Sequence, residues 1–238
     1  MDVYLRKTSL VDYPGRVAAA LFFRGCNLRC PWCQNRELVS PGVGGEGFMP
    51  PEAALGHIKK RRSVLGGVVL SGGEPTLYRA LGSLIREIRE LGLPVKLDTN
   101  GMRADALAGI LSGGAARPDY IALDLKLAPE RYGELLGTAG KPGPEEPGET
   151  LRQSAALIRS SGVTHEFRSI VFPNRHFDLA DVGALAPLVD DAPWYFRAFR
   201  PGNCLDPSWN DIGEPDSGEP AILARAARDR YGKQAKTG

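Results

Sequence analysis

Six short apolar runs, many of them β-branched, alternate with stretches of helical character along most of the chain. The runs are 17–23, 67–71, 94–98, 119–124, 166–172 and 194–199. The helical stretches are 51–62, 77–92, 103–112, 149–161, 177–188 and 219–231. A strand-then-helix rhythm predicts a parallel sheet joined by crossover helices. Six units are too few for a closed eight-stranded barrel and fit an α/β fold of the partial (β/α)6 barrel kind. No internal repeat or heptad pattern competes with that reading. Polar residues gather just past the C-terminal ends of the runs: Cys26, Ser71 to Glu74, Asp98 to Asn100, Asp124 with Lys126, and Arg197 with Arg200. Barrels place their active sites at that end. Any one of these residues alone reads equally well as a helix cap or a solvated loop residue.

The loop after the first run carries Cys26, Cys30 and Cys33 in a C-x3-C-x2-C array. Three thiolates can hold a four-iron cluster by three of its irons and leave the fourth open, whereas an electron-transfer cluster normally takes four cysteines. Two other readings stand beside this one. Structural zinc with a distant fourth ligand is possible, although zinc sites usually pair two C-x2-C units or add a histidine pair. The thiols can also simply be buried and free. Cys204 lies far downstream and reads as structural or incidental.

The loop resembles that of the radical S-adenosylmethionine (SAM) enzymes, with Trp32 as the aromatic residue just before the last cysteine. Ser71-Gly72-Gly73-Glu74-Pro75-Thr76 resembles the segment that binds the methionine amino group of SAM in that family. Glycines there would let the backbone approach a ligand, with the Glu74 carboxylate near an ammonium. The opening residues 5–16, Leu97 to Gly101, Leu123 to Lys126 and Glu166 to Arg168 are similar to activating enzymes of glycyl radical proteins. The most similar branch is the one identified as activators of anaerobic ribonucleotide reductase. The likeness runs over roughly residues 5–205.

The resemblance implies a TIM-like partial barrel, the radical SAM fold, as one domain over 1–238, with a core about 15–205 and a tail 206–238. It implies a [4Fe-4S] cluster on Cys26, Cys30 and Cys33, with SAM on the open iron. A flavodoxin or ferredoxin would supply the electron, SAM would be cleaved to a 5′-deoxyadenosyl radical, and the partner would be a glycyl radical enzyme. Ser71, Gly72, Gly73 and Glu74 would hold the methionine end, and Asn35 would lie near the cofactor. Asp98 and Lys126 are the expected catalytic contacts to SAM or substrate. Asn100 lies in the same motif, and Arg168 would pair with a carboxylate. Asp98, Thr99 and Asp124 correspond to ligands of a monovalent cation in some relatives. Two positions depart from the formate-lyase activators. Gln34 stands where they carry His, and the sixth run has Arg197 and Arg200 where they have a His near the ribose.

Composition limits the alternatives. Hydrophobic residues make up 42% and charged residues 24%, and the net charge is +2, which gives no reason to expect nucleic-acid or membrane binding. There is no apolar run of about 18 residues and no signal-peptide pattern. With four cysteines, three of them clustered, a disulfide framework is not expected, and a reducing, anaerobic cytoplasm fits. A second four-cysteine cluster is excluded by count. Residues 41–50 read as a glycine-rich linker without the Lys-Ser/Thr of a phosphate loop, and 137–148 as a loop. Lys59 to Arg62 read as a solvated helix end. The basic tail 225–236 reads as part-helical, then frayed. His57, His165 and His176 read as structural. A radical SAM enzyme acting on a peptide, nucleoside or small metabolite is the second functional reading. A zinc-stabilised or electron-carrying binding protein is the third.

Overall fold

The computed structural model describes residues 1–39, 46–137, 146–173 and 176–238. Half of the glycine-rich linker 41–50 and most of the loop 137–148 lie outside the described residues. Nine strands form one sheet: β1 (Val3–Ser9), β2 (Ala18–Phe23), β3 (Phe48–Met49), β4 (Gly67–Gly72), β5 (Val95–Thr99), β6 (Tyr120–Asp124), β7 (Thr164–Val171), β8 (Trp194–Ala198) and β9 (Ala235–Thr237). The helices are α1 (Arg36–Val39), α2 (Pro51–Arg61), α3 (Leu81–Glu90), α4 (Ala104–Ser112), α5 (Pro147–Ser160), α6 (Leu179–Leu185) and α7 (Glu219–Tyr231).

The sheet order is β3-β1-β2-β4-β5-β6-β7-β8-β9. From β2 to β9 every neighbouring pair is parallel, with a helix in each crossover, while β1 and β3 add an antiparallel edge. All six expected strands are present, so the partial barrel holds. Three strands go beyond that expectation, and one of them corrects it. The tail is not frayed: after α7 it turns through Gly232 in the left-handed region (φ 65°) and pairs Ala235 to Thr237 with Trp194 to Phe196. α3 also starts later than the periodicity suggests, because a 3-10 turn at Pro75–Leu77 precedes it.

Strand alternation separates two cores. Ala19, Leu21, Phe23, Val68, Leu70, Val95, Leu97, Ile121, Leu123 and Phe167 belong to the large core that includes the buried faces of the helices. α3 shows why it docks there: Leu81, Leu84, Ile85 and Ile88 form one buried stripe. Ala18, Ala20 and Val69 instead point into the barrel, where the Tyr13 ring packs on them. That ring lies 6.0 Å from Tyr120, and a Cβ at Gly67 would come within 2.9 Å of it. Tyr13 therefore plugs the N-terminal end of the barrel. The segment 5–16, on which the branch resemblance rests most heavily, builds β1 and this plug, at the opposite end from the cysteines. Among the described residues no helix is long and apolar enough to cross a membrane.

Candidate active site

The cysteine loop leaves β2 and is tied down on three sides. Gly73 N–H donates to Phe23 O at 2.9 Å and Glu74 N–H to Gly25 O at 2.8 Å, so the end of β4 runs against the start of the loop. Arg29 N–H donates to Leu135 O at 2.7 Å. Leu205 N–H donates to Cys33 O at 2.8 Å and Asp206 N–H to Pro31 O at 2.9 Å, so the segment after buried Cys204 clamps the far side. Trp32 is buried in an aromatic cluster, its ring 4.9 Å from Phe172, 5.0 Å from His176 and 5.2 Å from Trp209.

This geometry gives the two glycines a packing job. Gly72 sits at φ 115°, a glycine conformation. A Cβ on it would lie 2.7 Å from Phe22 C and Phe23 O. A Cβ on Gly73 would lie 2.7 Å from Gly25 C and 3.3 Å from Cys26 N. The glycines let β4 approach the backbone that carries Cys26. Glu74, fully buried, is likewise spent on protein donors: Thr76 N–H at 3.1 Å, Thr76 Oγ1 at 2.6 Å, Thr99 Oγ1 at 2.8 Å and Asn100 N–H at 2.8 Å. Burial raises its pKa, and those donors oppose the rise. In this structure Glu74 is a hub joining the ends of β4 and β5: three donors reach Oε1 and the Asn100 N–H reaches Oε2.

The thiols are free. Burial pushes Cys26 up to about 11 and Cys30 up to about 12, and raises Cys33 as well. Lys126 acts against that rise on all three. Among the described residues no three His, Cys, Asp or Glu side chains converge on a position for one metal ion. A cubane cluster takes each thiolate on a different iron and needs no such convergence. Three thiols on one short loop, with a cation facing them, are a fitting donor set for it.

Beside the loop, at the C-terminal ends of β4 to β8, a cavity of about 230 Å³ is lined by Trp32, Ser71, Asp98, Asp124, Lys126, Arg168 and Arg197 together with Leu125, Ser169, Ile170 and Phe172. Its polar wall is one connected network. Ser71 Oγ donates to Asp98 Oδ2 at 3.0 Å, and Lys96 pairs with Asp98 Oδ1. The Arg168 guanidinium reaches Asp98 at 3.4 Å and Asp124 at 2.7 and 2.8 Å. Lys126 Nζ lies 3.3 Å from Asp124 Oδ2. Burial would raise Asp124, but Arg168 and Lys126 win and hold it at about 2. Burial would lower Lys126 and Arg168, and their carboxylate partners raise both instead. Asp124, Lys126 and Arg168 are therefore ionised across neutral pH.

The expected site residues divide into three groups. Ser71, Asp98, Asp124, Lys126 and Arg168 meet in the cavity. Buried Glu74, Thr99 and Asn100, with half-buried Gly72 and Gly73, form the layer that supports the cysteine loop. Asn35 belongs to the cysteine loop: its backbone N–H hydrogen-bonds the Cys33 thiol, its carbonyl accepts from Leu38 and Val39 of α1, and it lines a second cavity of about 590 Å³ with Tyr4, Arg6, Phe22, Glu37 and Phe48. The oxygens expected around a monovalent cation do not fit one as they stand. Arg168 bridges Asp98 and Asp124, and Thr99 Oγ1 donates to Glu74 while accepting from Gly101 N–H at 3.1 Å. Lys96 was not among the expected residues. Its signal is present in the sequence: in β5 it sits two residues before Asp98, hence on the same inward face. His165 contacts Val163 O at 2.8 Å and Asp190 at 3.1 Å, a structural role.

Residues 21–178 match the radical SAM superfamily profile. A protein of Methanocaldococcus jannaschii, named provisionally as a glycyl-radical enzyme activating enzyme, is 28% identical over 92% of this chain and 88% of its own length. The pyruvate formate-lyase-activating enzyme of Clostridium pasteurianum is 28% identical over 78% of this chain and 74% of its own. The 7-carboxy-7-deazaguanine synthase of Hyperthermus butylicus is 37% identical over only 38% of this chain. Among solved structures, a radical SAM methyltransferase from Sphaerobacter thermophilus superposes with TM-score 0.68 at 15% identity, over 95% of this chain and 67% of that one. Streptococcus suis SuiB bound to S-adenosylmethionine superposes with TM-score 0.63 at 15% identity, and this chain spans about half its length. At these identities the structures establish the fold.

Proposed function

Because the chain belongs to the radical SAM superfamily, we propose that it cleaves SAM reductively and installs a glycyl radical on a partner enzyme, with anaerobic ribonucleotide reductase as the first partner to try. The observation that carries this reading is coverage. The relative aligned over nearly the whole length of both chains bears the activating-enzyme name, whereas the H. butylicus deazaguanine synthase matches 38% of this chain. When bound, a [4Fe-4S] cluster and SAM supply a one-electron cleavage to methionine and a 5′-deoxyadenosyl radical.

This chain's residues set the conditions for that chemistry. Cys26, Cys30 and Cys33 would hold the cluster as thiolates. Lys126 supplies positive charge toward all three, which lowers the cost of keeping them ionised away from water. Asp98, Asp124 and Arg168 offer both signs of charge in fixed positions, as a zwitterionic ligand requires. Their mutual pairing holds these charges in fixed places before a ligand arrives. Trp32, Leu125, Ile170 and Phe172 form the apolar wall that limits water near a reactive species. The reductant on this reading is a flavodoxin or ferredoxin.

A second reading, a small polar substrate, is favoured by charge placed deeper in the barrel. Lys96 and Glu166 are almost fully buried, and Tyr120 donates to Glu166 at 2.8 Å. The two readings separate in one experiment. Reconstituted, reduced protein is mixed with SAM and a purified glycyl radical enzyme under anaerobic conditions and followed by EPR. A glycyl doublet on the partner supports activation. Steady 5′-deoxyadenosine formation with no doublet on any candidate partner favours the small-substrate reading.

A further inference from the structure

Cys26 is the thiol with the most elaborate surroundings. Leu28 N–H donates to its sulfur at 3.4 Å, and Asn100 Nδ2 lies 3.7 Å from the same sulfur, within N–H···S range. Asn100 is buried, comes from the end of β5, and approaches the loop from the side away from solvent.

The orientation of its amide is fixed by a closed set of partners. Asn100 Oδ1 accepts from Met102 N–H at 2.9 Å. One Nδ2 hydrogen goes to Asn27 Oδ1 at 2.9 Å, which leaves the other for Cys26. Asn27 is oriented in turn, because its own Nδ2 donates to Met102 O at 3.3 Å. Turning the Asn100 amide over would set its nitrogen against the Met102 N–H and its oxygen against the Asn27 oxygen and the sulfur. Turning Asn27 would set donor against donor. The network therefore selects one arrangement. The Asn100 backbone is pinned as well, by its N–H on Glu74 Oε2 at 2.8 Å, so the buried carboxylate of the Gly-Gly-Glu segment holds the residue that touches the thiol.

We propose that Asn100 is a positioning residue that donates an N–H···S hydrogen bond to the Cys26 thiolate and thereby sets the reduction potential of the cluster bound there. This rests on the cluster reading above. Reduction adds negative charge that is shared with the cysteine sulfurs. A donor aimed at one sulfur stabilises the reduced state more than the oxidised one, and hydrogen bonds to sulfur are among the levers that set such potentials. Asn100 would thus keep the cluster within reach of a biological reductant.

The test is a potentiometric titration of the reconstituted full-length protein, monitored by EPR of the reduced cluster, with iron content measured on every sample. Asn100→Leu keeps the branched four-atom shape of the side chain and removes the donor. The expected result is full iron content with the reduction equilibrium shifted three- to tenfold against the reduced state, tenfold being about 59 mV for one electron. Asn27→Ala keeps Asn100 but frees its amide to turn, and is expected to give a smaller shift in the same direction. An exchangeable-proton coupling in the ENDOR spectrum of the wild-type cluster should disappear in Asn100→Leu. A purely structural Asn100 would alter stability or iron content and leave the potential of loaded protein in place. Full iron with an unchanged potential in Asn100→Leu overturns the proposal. If that variant fails to load, an unchanged potential in Asn27→Ala overturns it. A wild-type protein that binds no cluster overturns the underlying reading instead.

Discussion

Gly73→Ala separates a backbone role for the Gly-Gly-Glu segment from a ligand-binding one. An added Cβ would sit 2.7 Å from the Gly25 carbonyl carbon and 3.3 Å from Cys26 N. Restoring ordinary non-bonded separation requires a shift of about 1 Å between the end of β4 and the cysteine loop. That shift loosens two backbone hydrogen bonds, Gly73 N–H to Phe23 O and Glu74 N–H to Gly25 O. Overpacking of this kind costs about 1–3 kcal/mol and each weakened bond about 1 kcal/mol, together about 3–5 kcal/mol. Urea denaturation of metal-free protein measures the stability change without any ligand present. Gly109→Ala is the control: it lies inside α4 with no atom within 4 Å of an added Cβ, and the substitution should be neutral or stabilising by up to about 1 kcal/mol. Gly73→Ala should also lose most of its capacity to take up iron on reconstitution, because Cys26 moves with the loop. An unchanged urea midpoint and normal iron uptake, with only SAM affinity reduced, would refute the backbone role.

Three further outcomes are expected. Cys26 and Cys30 have folded pKa values of about 11 and about 12, above the free thiol value of about 8.5, so folded metal-free protein keeps protons that the unfolded chain loses. Its stability contribution is complete below about pH 8.5 and declines as pH rises toward the folded values; urea midpoints at pH 8 and pH 10 should show the fall, and Cys30→Val should flatten it. Asp124, held at about 2, contributes in the opposite sense. Its share is present above about pH 3.9 and is lost as pH falls toward 2, so acid unfolding of Asp124→Asn should begin from a lower plateau and be less steep. Tyr13→Ala removes the plug at the far end of the barrel and should cost about 3–5 kcal/mol, while 5′-deoxyadenosine formed per bound iron stays at the wild-type level.

The parts of the fold legible in the sequence were those whose pattern is local. β2, β4, β5, β6, β7 and β8 are apolar runs buried on the helix-facing side, and α7 ends where a left-handed glycine stops it. β3 and β9 are too short to show a period, and Ala235–Thr237 becomes a strand only because β8 presents an open edge to it. β1 was hidden for another reason: only Val3, Leu5 and Ser9 of it are buried, with three exposed residues in a row between the last two, so its alternation is broken. At the site, the gathering of polar residues after each strand was enough to bring Ser71, Asp98, Asp124 and Lys126 to one end of the barrel, whereas Arg168, inside β7, was marked only by the family likeness. The packing roles of Gly72, Gly73 and Glu74 were not legible, because they depend on how closely β4 approaches residues 23–26, a tertiary distance. Asn35 holds Cys33 through its backbone N–H, a contact that residue type does not encode.

The measurement that tests the central claim most directly is anaerobic SAM cleavage by reconstituted, dithionite-reduced protein, with Cys30→Ala alongside. Three thiols on one loop, facing Lys126 and the Asp98–Arg168–Asp124 wall, predict 5′-deoxyadenosine and methionine in equal amounts from wild type and neither from the variant. A fully iron-loaded wild type that forms no 5′-deoxyadenosine, with or without a glycyl radical partner, would contradict it.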